Sequence, residues 1–485
     1  MARADDLDPE GRRLPIKIDR TSNGEYAPPL LTARQKLANR LAHEAADENA
    51  RRLGLSRRAF MVSAAGAASA LAACNRANPD AGGRFALPKE APLDQAAAAS
   101  AVAGDEFIFD VQTHCVEPSG RWATGADGER WRRTLLEVFG QASKCSSGSF
   151  DCYSAQMLAK EVFLDSDTDV AVVSALWGQP NPTPIDYAAE TREIVAANGG
   201  EGARCLIHGG VFPQEPGEIE AMEEKAQRYR VDAWKLYPQY GANGRGIFLD
   251  SSDAANRFFE RARALGVPTV AVHKGVPLPG LEYDYSSPRD MGPAAAANPD
   301  LTFLVYHSGF EGGVREGPYD PANPRGVDRL IKSHQDAGLR RNQGNLYAEL
   351  GSTWRYFMSR PDEAAHVIGK LLKYFGEERI MWGTDSLWYG SPQDQIQAFR
   401  SFEISAEYQE RYGYPPLTRE AKRRIFGLNG ARVYNIDVAA LHGRGRLAER
   451  RAEYRAEPNP SFATFGPRTR RDFLALWRER GGVPG

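Results

Sequence analysis

Four residues of ligand type each close a short apolar run: His114 after FIFDVQT, His273 after VPTVAV, His307 after LTFLVY and Asp385 after RIMWGT. A strand that ends in such a residue, repeated along one chain, is the signature of a parallel barrel, in which the C-terminal ends of separate strands build one common face. That pattern narrows the fold before any other feature is read.

Eight short β-branched or aromatic runs follow Asp105, at 105–110, 168–176, 203–208, 231–237, 267–273, 301–307, 345–350 and 379–384. Helical patterns lie between them, such as Ala254 to Leu265, which stops at Gly266 as a helix C-terminus does. Strands alternating with helices favour parallel pairing, so the expected fold is an α/β (β/α)8 TIM barrel with an N-terminal export leader and a C-terminal helical extension. Ser391-Pro392 reads as a helix start, with Ile396, Phe399 and Phe402 recurring on one face. The stretches 115–166 and 310–344 exceed ordinary loop lengths and are expected to shape a pocket.

The chain of 485 residues is divided accordingly: a polar leader at 1–55, a signal at 56–74, a linker at 75–104, the barrel at 105–437 and an extension at 438–485. Neither the leader nor the linker is expected to carry chemistry. In the extension, Phe473, Leu474, Leu476 and Trp477 recur at helical spacing and read as a docking helix. A net charge of −2 supplies no source of counterion release, which argues against nucleic acid as a partner.

Residues 56–74, SRRAFMVSAAGAASALAAC, combine an arginine pair with a short, weakly apolar, Ala-rich stretch. This resembles a twin-arginine signal and implies the export machinery as a partner and a periplasmic location. Leu71-Ala72-Ala73-Cys74 also resembles a lipobox, with a lipid anchor at Cys74. The run is too short to span a bilayer permanently. Cys145 and Cys152 are near enough in sequence to pair in an oxidising compartment, whereas Cys115 and Cys205 read as buried thiols.

Imidazoles and a carboxylate can hold a divalent metal that lowers the pKa of its bound water to about 7. His114, His273 and Asp385 supply that ligand set, for one ion, with Zn first and Mn or Fe as alternatives. Alternation along VDAWKLYP sends Ala233, Lys235 and Tyr237 to one side, read as inward. Trp177, Tyr237, Trp354 and Trp388 fall at or after strand ends and could line a pocket.

The motifs FDVQTH, VAVHKG, VYHSG, MWGTDS and IFGLNGARVY resemble, in order and approximate spacing, the amidohydrolase-related branch of the amidohydrolase superfamily, which includes aminocarboxymuconate-semialdehyde decarboxylase-like enzymes. The resemblance runs from about Asp105 to Ile436. It implies that His114 is the second histidine of a strand-one His-x-His pair, His273 the strand-five ligand and Asp385 the strand-eight aspartate that binds metal and shuttles the proton of its water. His307 then contacts substrate or bound water. Gln112 stands where the family has its first histidine, and is a ligand, a hydrogen-bond partner of the bound water, or neither. Lys235 sits where other branches bridge two metals with a carbamylated lysine; the reading preferred here is a contact to an anionic substrate or a pair with a carboxylate such as Glu349. Lys274 faces the opposite way and reads as structural.

The leading expectation is a metal-dependent hydrolase acting on a carbonyl-type bond of a small organic substrate, with Asp385 and His307 as catalytic residues, His307 polarising the carbonyl. The alternatives are a nonoxidative decarboxylase of an aromatic or unsaturated carboxylate, and an exported noncatalytic binding protein. Barrels of this kind often dimerise, and a homodimer is among the expected assemblies.

Overall fold

In a computed structural model, which describes residues 8, 10–19, 21–139, 149–199, 204–241, 245–278, 282–461 and 464–479, the apolar runs form a parallel barrel. A small antiparallel pair, β1 (Gly83–Phe85) with β10 (Phe402–Ile404), lies apart from it. The barrel strands are β2 (Phe109–Thr113), β3 (Val170–Ser174), β4 (Cys205–Val211), β5 (Ala233–Leu236), β6 (Thr269–His273), β7 (Thr302–Tyr306), β8 (Leu346–Glu349) and β9 (Ile380–Met381). They pair in chain order, β2 through β9. The ring closes between its ends, where the Val111 amide donates to the Trp382 carbonyl at 3.0 Å and the Asp385 amide to that of Gln112 at 2.9 Å.

Alternation divides the side chains. Phe109, Val111, Val172, Leu206, Ala271, Leu304, Tyr306 and Met381 pack inside the barrel. Val270, Val272, Phe303, Val305, Trp234 and Leu236 face the surrounding layer of helices. One of those is the helix Asp253–Ala264, which buries Ala255, Phe258, Phe259 and Ala262 on one face. It ends where Gly266 takes a positive φ of 69°.

The first strand begins later than the sequence suggests. The ladder starts at Phe109, paired with Val170, and continues through polar residues to Thr113. Asp110 and Thr113 find partners there: the Asp110 carboxylate accepts the Gln112 and Thr384 amides at 3.1 Å each, and the Thr113 hydroxyl donates to the Val172 carbonyl at 2.6 Å, so polarity does not end the strand. After β9 the chain returns to helix at Gln393–Ser401, with Ile396 and Phe399 buried, while Phe402 belongs to β10 instead.

The N-terminal region is folded against this barrel. The Thr32 hydroxyl and the Gln35 side chain form a capping box that opens the helix Ala33–Arg52. Residues 56–74 occupy the helices Arg57–Met61 and Ala64–Ala77. The second buries Ala65, Ala67, Ala68, Leu71 and Cys74, and its small side chains let it pack closely on Ala33–Arg52. No helix of the described residues is long and apolar enough to cross a membrane.

Ahead of these helices, an extended stretch buries Leu14, Ile16, Ile18 and Tyr26. It is pinned by the Lys17–Asp394 pair at 3.7 Å and by a buried ion pair between Asp19 and Arg355. The helix Arg470–Glu479 buries Phe473 and Leu476, in line with the docking helix read from the sequence. Cys74, Cys115 and Cys205 are buried free thiols. Cys145, the first half of the expected pair with Cys152, lies outside the described residues.

Candidate metal centre

The ends of β2, β6 and β7 and the turn after β9 bring His114, His273, His307 and Asp385 together, each at most 2% exposed. Four of the seven non-glycine residues with positive φ among the described residues belong to this place: His307 (67°), Ser308 (50°), Ser352 (56°) and Asp385 (61°). Each such conformation costs roughly 1–3 kcal/mol and persists only where surrounding contacts hold it. Glu349 does much of the holding. Its carboxylate accepts the His307 amide at 3.0 Å and the Gly351 amide at 2.5 Å. Burial drives its pKa well above the ordinary value, against the pull of those two amides.

The imidazoles share one arrangement. His114 Nδ1 lies 2.8 Å from the Ser174 carbonyl, His307 Nδ1 lies 2.8 Å from that of Gly351, and His273 Nε2 lies 2.9 Å from that of Val276. A carbonyl can only accept, so each of these nitrogens carries the proton, and because His273 and His307 are kept neutral by burial, the other nitrogen of each of those two rings presents a lone pair. The inner nitrogens of all three rings turn toward one another or toward Asp385. His114 Nε2 is 3.1 Å from Asp385 Oδ1, and His273 Nδ1 faces His307 Nε2 at 3.3 Å. Two acceptors facing one another with no proton between them repel, and the arrangement is satisfied by a cation. Outer N–H groups bound to carbonyls are how metal-binding imidazoles are oriented. Burial holds the pKa of His273 well below its ordinary value and that of His307 down to about 4, which keeps both rings neutral.

Asp385 is the hub. Its Oδ1 accepts from Gln112 Nε2 at 3.1 Å, and its Oδ2 from the Ser352 hydroxyl at 2.6 Å and from Asn23 Nδ2 at 2.9 Å. Burial works to raise its pKa, and the contacts with His114, His307 and Ser352 outweigh that and hold it below the usual carboxylate value.

Gln112, placed by sequence as a ligand candidate, donates its amide to Asp385 and so positions that carboxylate. His307, expected to polarise the carbonyl, turns its Nε2 inward toward His273 Nδ1 at 3.3 Å. Lys235 does point inward, is fully buried and sits between the rings of Tyr237 and Tyr306, its Nζ 4.1 and 4.2 Å from their centres. It is not paired with Glu349, whose oxygens are taken by backbone amides; among the described residues Lys235 Nζ has no hydrogen-bond partner. Burial brings its pKa down to about 7, with Glu25, Asp385 and Glu349 opposing. Lys274 faces outward and pairs with buried Asp290 at 2.8 Å.

Aromatic rings enclose the centre. Trp388 stacks on His114 with centroids 5.9 Å apart, and Tyr237 on His273 at 5.1 Å. A narrow cleft above them is lined by Trp131, Trp177, Tyr237 and Trp388 together with Asn23 and Glu25. Trp354 is elsewhere, packed on Phe399 and Phe402 in the core.

Asn23 and Glu25 belong to the region from which no chemistry was expected. Their approach is tertiary, and the local sequence SNGEY carries no signal of it.

Among solved structures, the chain is similar to 2,6-dihydroxybenzoate decarboxylase from Rhizobium, at 14% identity over 68% of this chain and 99% of that one, with a TM-score of 0.40. It is similar to 5-carboxyvanillate decarboxylase from Sphingomonas paucimobilis with the same identity, coverages and TM-score. An amidohydrolase from Burkholderia multivorans with bound zinc matches at 14% identity over 68% of this chain and 100% of that one, with a TM-score of 0.43. No curated protein matches the sequence. The family model described as Amidohydrolase matches residues 167–436, which is more than half of the chain and includes His273, His307 and Asp385. The chain therefore belongs to the amidohydrolase family.

Proposed function

We propose that this protein is a metal-dependent enzyme of the amidohydrolase type that hydrolyses a carbonyl-type bond of a small organic substrate. The observation that carries the reading is the set of three imidazoles, each with its outer N–H given to a backbone carbonyl and its inner nitrogen turned toward the others or toward Asp385. His114, His273, His307 and Asp385 would hold a divalent ion, for which imidazole nitrogen and carboxylate oxygen suit Zn, with Mn as an alternative. When bound, the metal supplies Lewis acidity and makes water a nucleophile at neutral pH.

The chain's own residues do the rest. Asp385, held by Gln112, Ser352 and Asn23, has one carboxylate oxygen beside His114 and is positioned to accept a proton and pass it to a leaving group. The tryptophans exclude water and favour a flat or apolar substrate. Asp385→Asn keeps the shape and removes the base, so turnover should fall at least a hundredfold, the scale of a lost general base. Wild-type turnover in that variant would sink the assignment.

Lys235 favours a second reading, nonoxidative decarboxylation. A buried cation without a hydrogen-bond partner is costly, and a substrate carboxylate would provide one. Metal-loaded enzyme incubated in 18O-water with a panel of small esters, lactones and aromatic carboxylates separates the two. Label in the product supports hydrolysis, whereas carbon dioxide release from an aromatic carboxylate with no label in the product would replace it.

A further inference from the structure

We infer that Glu25, delivered by the N-terminal segment, is a metal ligand, and that the active protein keeps that segment; the inference rests on the metal-dependent reading above. Glu25, His273 and His307 each offer a ligand atom within 4.8 Å of the others. One Glu25 carboxylate oxygen lies 3.8 Å from His307 Nε2, the inner nitrogen of that ring, close enough to share an ion and too far for a hydrogen bond; the other lies 3.8 Å from His273 Nε2, the nitrogen whose proton goes to the Val276 carbonyl.

The carboxylate is aimed. Asn23 Nδ2 spans Glu25 Oε2 at 2.6 Å and Asp385 Oδ2 at 2.9 Å, and the Glu25 amide donates to Asn23 Oδ1 at 3.0 Å. One asparagine thus sets two carboxylates around the same space.

Charge supports the assignment. An imidazole that ligates a metal does so uncharged, so as ligands the three rings and Asp385 bring a single negative charge to a divalent ion, and Gln112, whose amide donates to Asp385, adds none. Glu25 supplies the second. A buried ion whose charge is matched by its ligands avoids most of the desolvation cost that an unmatched one carries. The segment is anchored for the task by the buried Asp19–Arg355 pair, by Lys17 on the Tyr389 carbonyl at 3.0 Å and by Tyr26 Oη on Tyr389 Oη at 2.9 Å. A cleavage at the Ala-rich helix would remove Asn23 and Glu25 together, so the inference requires that residues 15–26 remain attached.

The test uses full-length protein, wild type and Glu25→Gln, loaded with Zn or with Co(II). Elemental analysis, chelator competition and the visible Co(II) spectrum are compared, with melting of the metal-free forms as a folding control. The expected result is about one equivalent of metal in wild type, an affinity loss of about 100-fold or more in Glu25→Gln, beyond what an outer-shell partner gives, and a shifted Co(II) spectrum. Unchanged affinity and spectrum in Glu25→Gln, with metal in both proteins, would overturn the role of Glu25 and leave the metal enzyme standing. A wild type that takes up neither ion would overturn both. Should Glu25→Gln fail to fold, Glu25→Asp carries the comparison: its shortened carboxylate should still shift the Co(II) bands, and an unshifted spectrum would overturn the assignment.

Discussion

Asp19→Ala should release the N-terminal segment from the mouth of the barrel. Asp19 is held against the guanidinium of Arg355, which is only 3% exposed and lies over the Tyr389 ring. Burial pushes the Asp19 carboxyl up, and Arg355, Thr21 and Lys17 pull it further down, so its pKa is below the ordinary value. A depressed carboxylate contributes in full above its unfolded pKa of about 3.9 and is lost only as pH falls through the lower folded value, so an assay at pH 7 sees all of it. Removing one partner of a buried pair costs about 3–5 kcal/mol, because the other charge stays buried without it. The molecule has a cheaper option than global unfolding, which is to undock residues 14–26 and let Arg355 reach water. Local opening should therefore become more favourable by about 3 kcal/mol, or about 150-fold in the opening equilibrium. Hydrogen–deuterium exchange read by mass spectrometry reports this directly. Peptides covering residues 14–30 should lose protection on that scale while those covering β6 and β7 keep theirs. Unchanged protection of the segment in Asp19→Ala would refute the claim that this ion pair anchors it.

Two further outcomes follow from buried groups. Lys235→Met removes a cation that burial brings to a pKa of about 7 and that has no hydrogen-bond partner among the described residues. It should raise the stability of the metal-free protein by about 2 kcal/mol and abolish turnover, and a lower urea midpoint would contradict the reading of Lys235 as a group kept for function at a cost in stability. His334 is 1% exposed, lies against Phe375 with ring centres 4.3 Å apart, and burial lowers its pKa to about 4. Its unfolded value lies above its folded one, so stability is complete above about pH 6.5 and falls as pH drops toward 4; the loss at pH 5 is about 2 kcal/mol. In His334→Gln the difference between the unfolding free energies from urea titrations at pH 7 and pH 5 should shrink by that amount, and an identical difference would place the sensitivity elsewhere.

Much of the barrel was legible because strand and helix periodicities are local. Alternation in VDAWKLYP put Lys235 inside, and the structure has it there; the order of apolar runs is the order of the barrel strands. His114, His273, His307 and Asp385 could be grouped because parallel strands bring their C-terminal ends to one face. The first strand begins later than the sequence suggests because Asp110 and Thr113 are paired with Thr384 and Val172, residues far along the chain that no window of sequence displays.

What the sequence determined by itself was the architecture and the identity of the residues at the strand ends, since both rest on repeats of a few residues. What only the tertiary structure decided was how those residues face one another. The proton on His114 Nδ1 and on His307 Nδ1 is set by a carbonyl from another segment, Gln112 is turned to Asp385, and Glu349 is committed to backbone amides rather than to Lys235. Glu25 and Asn23 reach the centre because distant anchors, Arg355, Asp394 and Tyr389, draw an extended segment across the barrel mouth. Hydrogen bonds and ion pairs between residues hundreds of positions apart leave no periodic trace, so their outcome exists only in the folded chain.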